Sequence, residues 1–391
     1  MDNTKAFGTL TMHIIHTEPS PDPMDGPYLY VPEAKGVVKR TYPLRSFREQ
    51  VFPDNSQDTL EVGRAFLRQN GCSAFQHTSK LNLFDVKFSN EARTAYYSEI
   101  VELVQHITGC AKVFLISSVT RGGDAEDART SDKAEEAKKE EDNKRPGKDK
   151  ANLTEHEEAG RKMASVDNLQ PYHLPTTIKP SRIPHMDYTP LGARQLIRSM
   201  RSDVHHYADA EAGIIDYENK LCASAGNGIS ADKENSDEFL FQNYNKPDQP
   251  GPRYAIFSIW RPLKLCTQDP LAFVKRSDFD AACGGSDNDL EYWRYNLRTP
   301  GFKGDWCWNL AMVRAREGTD EGSGKLMAGP VWNYIPEQRP DEVLFIKHFD
   351  SASLGPNGTE VPGVPHASPD LGSAGYGDAR ESIETRVIAF W

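Results

Sequence analysis

The sequence predicts an α+β fold that is mainly β, on three observations. Short apolar runs with the two-residue period of a half-buried strand recur along the chain. Amphipathic runs at helical spacing lie between them, and the last hundred residues read as several strands.

In chain order, residues 7–16 alternate enough for a strand, and 37–42 is a second candidate. Leu60, Val62, Phe66 and Leu67 share one side of a short helix that Asn70-Gly71 would close. Phe84, Val86 and Phe88 alternate with Asp85 and Lys87, which predicts a half-buried strand. Tyr97, Ile100, Val101, Val104 and Ile107 predict a helix over 91–107 stopped at Gly109, and 112–119 is apolar and β-rich. Composition then changes: from Thr120 to Asn152 there is no large apolar residue, and 121–160 holds 9 basic and 13 acidic side chains. Such a stretch cannot bury enough apolar surface to offset its ordering entropy, so it reads as a solvated insertion, with a charged helix expected at 134–144. A Pro-punctuated stretch (171–190) leads to a helical run at 191–200. Residues 208–252, rich in Gly, Asp, Asn and Ser, read as a long loop or lid. A buried strand follows at 254–260. Beyond a polar stretch at 284–289 come an aromatic-rich region (Tyr292, Trp293, Tyr295, Trp306, Trp308) and strands near 331–335, 343–349 and 383–390.

The formal charge of −11 argues against nucleic acid or an anionic membrane surface as partner, since both require a basic face. No apolar run approaches the ~20 residues of a membrane span. The six cysteines are widely spaced with no CxxC pair, and the N-terminus lacks a basic-then-apolar leader pattern. The expectation is a cytoplasmic protein acting on a small molecule, with a homodimer left open.

The chemistry lies in ordered polar residues. In an HxD tripeptide on a strand, His and Asp point to the same face and can grip one ion from one side. Two imidazoles and one carboxylate leave three of six octahedral positions open, the facial triad of non-haem Fe(II) oxygenases, whose open positions take a bidentate 2-oxo acid and O2. Two HxD sites occur, His185-Met186-Asp187 and His348-Phe349-Asp350. A double-stranded β-helix barrel (the jelly-roll or cupin-like fold) brings its distal His from a strand well downstream. Only 15 residues separate Asp350 from His366, too few for the connecting strands, whereas Asp187 leaves ample room. His185, Asp187 and His366 are therefore the expected metal ligands and catalytic residues, and His348 is expected to be a sheet residue nearby. Fourteen residues past His366 comes Arg380-Glu381-Ser382, whose guanidinium and hydroxyl could share the distal carboxylate of 2-oxoglutarate; Arg386 is the rival. Val343 and Phe345 share a strand face and either line the pocket or belong to the core. Trp260 and Arg261 read as structural, the Arg tying a strand end to a carboxylate. His205-His206 and His13/His16 lack partners at ligand spacing.

The block from His185 through Ala193 resembles the HxD-containing block of a fungal hydroxylase/desaturase family that includes gibberellin desaturases. Ile259-Trp260-Arg261-Pro262-Leu263 with Asp269-Pro270-Leu271-Ala272 resembles another of its blocks. Phe349-Asp350-Ser351, Pro365-His366-Ala367 and the segment Arg380 to Arg386 resemble its C-terminal blocks. The likeness covers roughly 170–391 and, more weakly, the N-terminus. It implies a double-stranded β-helix core with flanking helices and insertions, and Fe(II), 2-oxoglutarate and O2. It also implies His185, Asp187 and His366 as ligands, with Arg380 and Ser382 as cosubstrate anchors. Family members hydroxylate, desaturate or cyclise, including aziridine formation on a small amino acid such as valine. The expected organisation is an N-terminal α+β part (1–119) packed on the barrel, a charged, flexible insertion (120–160), and a catalytic core (161–391) carrying the 208–252 loop or lid. A zinc-dependent hydrolase on the same His/Asp/His site, or a non-catalytic cupin-like binding protein, are the competing readings.

Overall fold

A computed structural model of the chain describes residues 6–15, 34–53, 58–122, 172–178, 180–226, 228–283, 290–298, 307–315, 330–355 and 358–391. The strands are β1 (Ala6–Ile15), β2 (Ala34–Ser46), β3 (Cys72–Gln76), β4 (Lys112–Arg121), β5 (Tyr172–Ile178), β6 (His185–Met186), β7 (Tyr254–Pro262), β8 (Ala272–Phe273), β9 (Leu290–Arg298), β10 (Cys307–Ala315), β11 (Trp332–Tyr334), β12 (Glu342–Asp350), β13 (His366–Ala367) and β14 (Ser382–Phe390). The helices are α1 (Arg48–Val51), α2 (Thr59–Asn70), α3 (Leu83–Phe88), α4 (Asn90–Thr108), α5 (Pro190–Ser199), α6 (Ser202–His206), α7 (Ile214–Ala225), α8 (Asp237–Asn243) and α9 (Arg276–Cys283). No helix among the described residues is long and apolar enough to cross a membrane.

The strands form two sheets. One runs β1-β2-β11-β8-β13-β6-β10-β9 and the other β3-β12-β7-β14-β4-β5. Apart from β1–β2, β9–β10 and β4–β5, neighbours in each sheet are not consecutive strands, because the chain crosses repeatedly from one sheet to the other; this is the double-stranded β-helix. The N-terminal strands are woven into both sheets. β2 pairs in parallel with β11, while β3 pairs with β12 and β4 with β14.

Side-chain alternation assigns the faces of the smaller sheet. Ala255, Phe257 and Ile259 of β7, Ile383, Val387 and Ala389 of β14, and Val343 and Phe345 of β12 form one core with Tyr96, Tyr97, Ile100, Val104 and Ile107 of α4. Burying each of the larger side chains contributes about 1.5–3 kcal/mol. The intervening residues Ser258, Trp260, Glu384 and Arg386 turn to the opposite face, toward the larger sheet, and all are buried. α4 is positioned at both ends: the Ser89 hydroxyl accepts from Ala92 N–H, and Gly109 closes it in the left-handed conformation at φ 70°.

Several expectations need correction. Phe84, Val86 and Phe88 lie on α3, not on a strand. Asn82 caps this short helix by accepting from Phe84 N–H, and Phe84 and Phe88 remain 66% and 47% exposed. The 208–252 segment is mainly helical rather than a loop, because Ile214, Ile215, Cys222 and Leu240 bury into a core with Tyr244 and Tyr254. Arg261 ties its strand end not to a carboxylate but to the Tyr96 hydroxyl and the carbonyls of His77 and Pro340. The charged segment from 123, with the helix expected at 134–144, and the stretch at 284–289 lie outside the described residues.

Gly363 shows how tightly the approach to β13 is built. A Cβ there would come within 2.0 Å of the His348 carbonyl oxygen, a backbone atom that cannot rotate away. Gly363→Ala should therefore destabilise the fold by about 1–3 kcal/mol, as overpacking of a close-packed interior does. Thermal or urea denaturation of the two proteins checks this; an unchanged midpoint would show that the loop yields.

Candidate metal centre

β6 is only two residues long, yet it is held on both sides. His185 pairs with Met312 of β10 and with His366 of β13. The ladder continues outside the strands: Val313 N–H donates to Pro184 O (3.0 Å) and Ser368 N–H to Ser181 O (2.7 Å). His366 arrives on a loop hung from both sheets, with Val364 N–H donating to Lys347 O and Val274 N–H to Pro365 O. Immediately after β6, Thr189 accepts from Gly192 N–H and opens α5, with Pro190 at the first helical position, where its missing N–H costs nothing. Gly192 lets this helix lie against β10, since a Cβ would meet Asn309 O at 2.2 Å.

This construction brings His185, Asp187 and His366 together, their donor atoms all within 4.8 Å of one another. His185 Nε2 is 3.6 Å from Asp187 Oδ1, and His366 Nε2 is 4.0 Å from Asp187 Oδ2. The two imidazole centroids are 4.5 Å apart. His185 Nδ1 lies 2.6 Å from its own segment's Ile183 carbonyl. A carbonyl can only accept, so that contact places a proton on Nδ1 and turns Nε2 toward Asp187. His366 repeats the arrangement more loosely, with Nδ1 3.5 Å from Val364 O. Burial lowers the His366 pKa to about 3, so its ring is neutral, the form that ligates a metal.

The smaller sheet supplies a buried polar network behind Asp187. Arg386 Nε donates to Asp187 Oδ2 at 2.8 Å, and the same guanidinium is 3.0 Å from Glu384 Oε1. Glu384 Oε1 also accepts from Ser258 Oγ at 2.7 Å, and that hydroxyl lies 2.7 Å from His348 Nε2. Burial raises the Asp187 pKa, but Arg386, followed by the three imidazoles, holds it well below the usual carboxylate range. Burial likewise raises the Glu384 pKa, but Arg386 together with Arg121 and His366 holds it down to about 2. His348 is buried beside the site, 3.5 Å from Asp187, and burial lowers its pKa to about 4. Asp187, His348 and Glu384 form a second close group of potential donors, but Arg386 already meets both acids.

Arg380 and Ser382 sit at a separate subsite. Arg380 is buried, and its guanidinium carbon is 5.4 Å from the Trp260 centroid. One terminal nitrogen donates to Asp269 O (2.6 Å) and Ser368 Oγ (3.0 Å), both uncharged acceptors. Its Nε and the Ser382 hydroxyl are both buried without a hydrogen-bond partner. Burial, the largest influence, lowers the Arg380 pKa to about 10. Between these two residues Glu381 points away and is clamped by Lys87 of α3 (2.9 Å) and by Lys264 (3.2 Å). Gly122, at φ 90°, passes so close that a Cβ would lie 1.9 Å from Arg380 O.

Val343 and Phe345 are placed on the α4 side of β12, on the other face of the sheet from His348. Phe345 packs edge-on against Phe75 with centroids 5.0 Å apart. The pocket-lining expectation for this pair is therefore corrected: they are core. His205 and His206 lie on α6, outside the potential metal groups found among the described residues. Ser258 and Glu384 were not singled out in the sequence. Their signal is a polar residue at an inward position of an otherwise buried strand, where an unpartnered polar group would be costly.

A family profile described as "Oxidoreductase/YMDC permease-like domain" matches residues 240–390. The gibberellin cluster GA4 desaturase of Gibberella fujikuroi is 26% identical over 327 residues, 82% of this chain and 82% of the relative. The oxidoreductase chry3 of Gibberella zeae is 29% identical over 394 residues, 90% of this chain and 89% of the relative. The hydroxylase/desaturase asaB of Aspergillus flavus is 31% identical over a shorter stretch, 36% of this chain and 56% of the relative. Among solved structures, a variant of the iron and alpha-ketoglutarate-dependent endoperoxidase NvfI superposes with a TM-score of 0.51 at 18% identity. That match covers 100% of this chain and 99% of the other, and it shows the shared fold. Over most of its length the chain is thus similar to a fungal desaturase and a fungal oxidoreductase, and it shares its fold with an iron and alpha-ketoglutarate-dependent endoperoxidase.

Proposed function

We propose that this chain is an Fe(II)- and 2-oxoglutarate-dependent oxygenase that removes hydrogen from an unactivated C–H bond of a small molecule, with hydroxylation, desaturation or oxidative ring closure as the outcome. The observation that carries this reading is Arg380. It is a buried guanidinium with no ion-pair partner among the described residues, and its Nε and the neighbouring Ser382 hydroxyl both lack partners. An unpaired buried charge is expensive, and a ligand carboxylate would compensate it with charge-assisted hydrogen bonds. A zinc hydrolase on the same three ligands has no use for such an anchor. Arg386, the rival, already has two internal carboxylates, Asp187 and Glu384.

On this reading His185 Nε2, His366 Nε2 and Asp187 hold the metal and leave three positions open. Arg380 and Ser382 take the distal carboxylate of 2-oxoglutarate, which directs the keto-acid end toward the three ligands. When bound, the ferrous ion, 2-oxoglutarate and O2 supply the oxidising equivalents, with succinate and CO2 as coproducts. The protein orients the reactants and excludes water. The outcome then follows from substrate placement: an amine held beside the activated carbon would favour ring closure, including aziridine formation on a small amino acid such as valine. Residues 161–391 would be the catalytic core and 1–119 the part that completes both sheets.

Fe(II)-dependent conversion of 2-oxoglutarate to succinate tests the function directly. His185→Ala and His366→Ala should each lose stoichiometric metal, measured by elemental analysis after reconstitution, while His348→Ala should retain it. Metal retained in His366→Ala would refute the ligand set. Arg380→Ala should bind metal normally but weaken 2-oxoglutarate by roughly tenfold to a hundredfold, the scale of a hydrogen bond to a charged group. Calorimetric titration of the metal-loaded protein reads this, and an unchanged affinity would place the anchor elsewhere.

A further inference from the structure

We propose that Arg386 is a positioning residue that keeps Asp187 a one-oxygen ligand and thereby holds a coordination position open for the 2-oxo acid. This inference rests on the metal reading above. The Arg386 Nε–H lies on Asp187 Oδ2 at 2.8 Å, so that oxygen is engaged by a cation nearer than the imidazoles of His348 (3.5 Å) and His366 (4.0 Å). The other oxygen, Oδ1, faces His185 Nε2 at 3.6 Å. The guanidinium cannot swing away, because its far side is held by Glu384 Oε1 at 3.0 Å. Glu384 is fixed in turn by the Ser258 hydroxyl, and Ser117 Oγ lies 3.5 Å from a third guanidinium nitrogen. All five side chains are buried, so the planar fork is clamped between two carboxylates in a site with little screening.

The count of positions gives the arrangement its consequence. Two imidazoles and one carboxylate oxygen fill three of six octahedral places. A chelating 2-oxo acid takes two, and one remains for O2. Were Asp187 to bind through both oxygens, only two places would be left, and the chelate would close the site. Arg386 is thus distinct in role from Arg380: it acts on the metal ligand, not on the distal carboxylate of the cosubstrate.

The test uses the full chain loaded with Co(II), whose visible spectrum reports coordination. The protein is titrated with 2-oxoglutarate and with 2-oxobutyrate, which has the same chelating end but no distal carboxylate. Arg386→Met should still bind Co(II) but should weaken both acids by the same factor, roughly tenfold or more, the scale seen when outer partners of metal ligands are removed. Arg386→Lys, which keeps the charge without the fork, should fall between Arg386→Met and wild type. Weakening of 2-oxoglutarate alone would overturn the proposal and make Arg386 a carboxylate anchor; no weakening of either acid would overturn it as well. Should Arg386→Met not fold, Glu384→Gln, which loosens the guanidinium, carries the same comparison: equal weakening of both acids supports the proposal, and unchanged binding contradicts it. Failure of the wild-type chain to bind Co(II) with either acid would instead sink the metal reading itself.

Discussion

His185 stands opposite His366 across β6 and β13, and the remainder of the site is arranged around that single cross-strand pair. Both strands are two residues long, too short to persist alone, so their register depends on β8 and β10 at either side. The close approach of Gly363 to His348 and of Gly192 to Asn309 fixes the two segments against backbone rather than against adjustable side chains. Rigid elements of this kind can hold ligand atoms to the tolerance that metal coordination requires.

The two sheets contribute different things. The larger one presents the three candidate ligands. The smaller one presents charge: Arg386 and Glu384 behind Asp187, and Arg380 at a separate subsite. Buried charges cost stability unless paired, and Arg386 on β14 is paired twice while Arg380, just before β14, has no ion pair among the described residues. That asymmetry within seven residues of chain separates a guanidinium tied into the protein's own carboxylates from one with no carboxylate partner among the described residues.

Much of this was legible in the sequence because metal chemistry demands particular residue types in a particular order. The HxD spacing, the room between Asp187 and His366, and the Arg-x-Ser offset each express a geometric need, and the structure brings the first three residues together. The helix capped by Ser89 and Gly109 was legible for a similarly local reason. What escaped depends on tertiary context. The alternation of Phe84, Val86 and Phe88 imitates a strand, yet the Asn82 cap and the Lys87–Glu381 ion pair favour a helix. The polar-looking 208–252 segment hides its few anchors, Ile214, Ile215 and Leu240, among Gly, Asp and Asn. Val343 and Phe345 share a face, but periodicity alone does not say which face looks inward.

The most direct measurement is an anaerobic titration of the metal-free chain with Fe(II) and 2-oxoglutarate, followed by visible absorption. Convergence of His185, Asp187 and His366 on one ion, with Arg380 beyond it, predicts a metal-to-ligand charge-transfer band that appears only when both are present, at one equivalent of each. Absence of the band, or a band that survives replacement of His185 and His366 by alanine, would contradict the account.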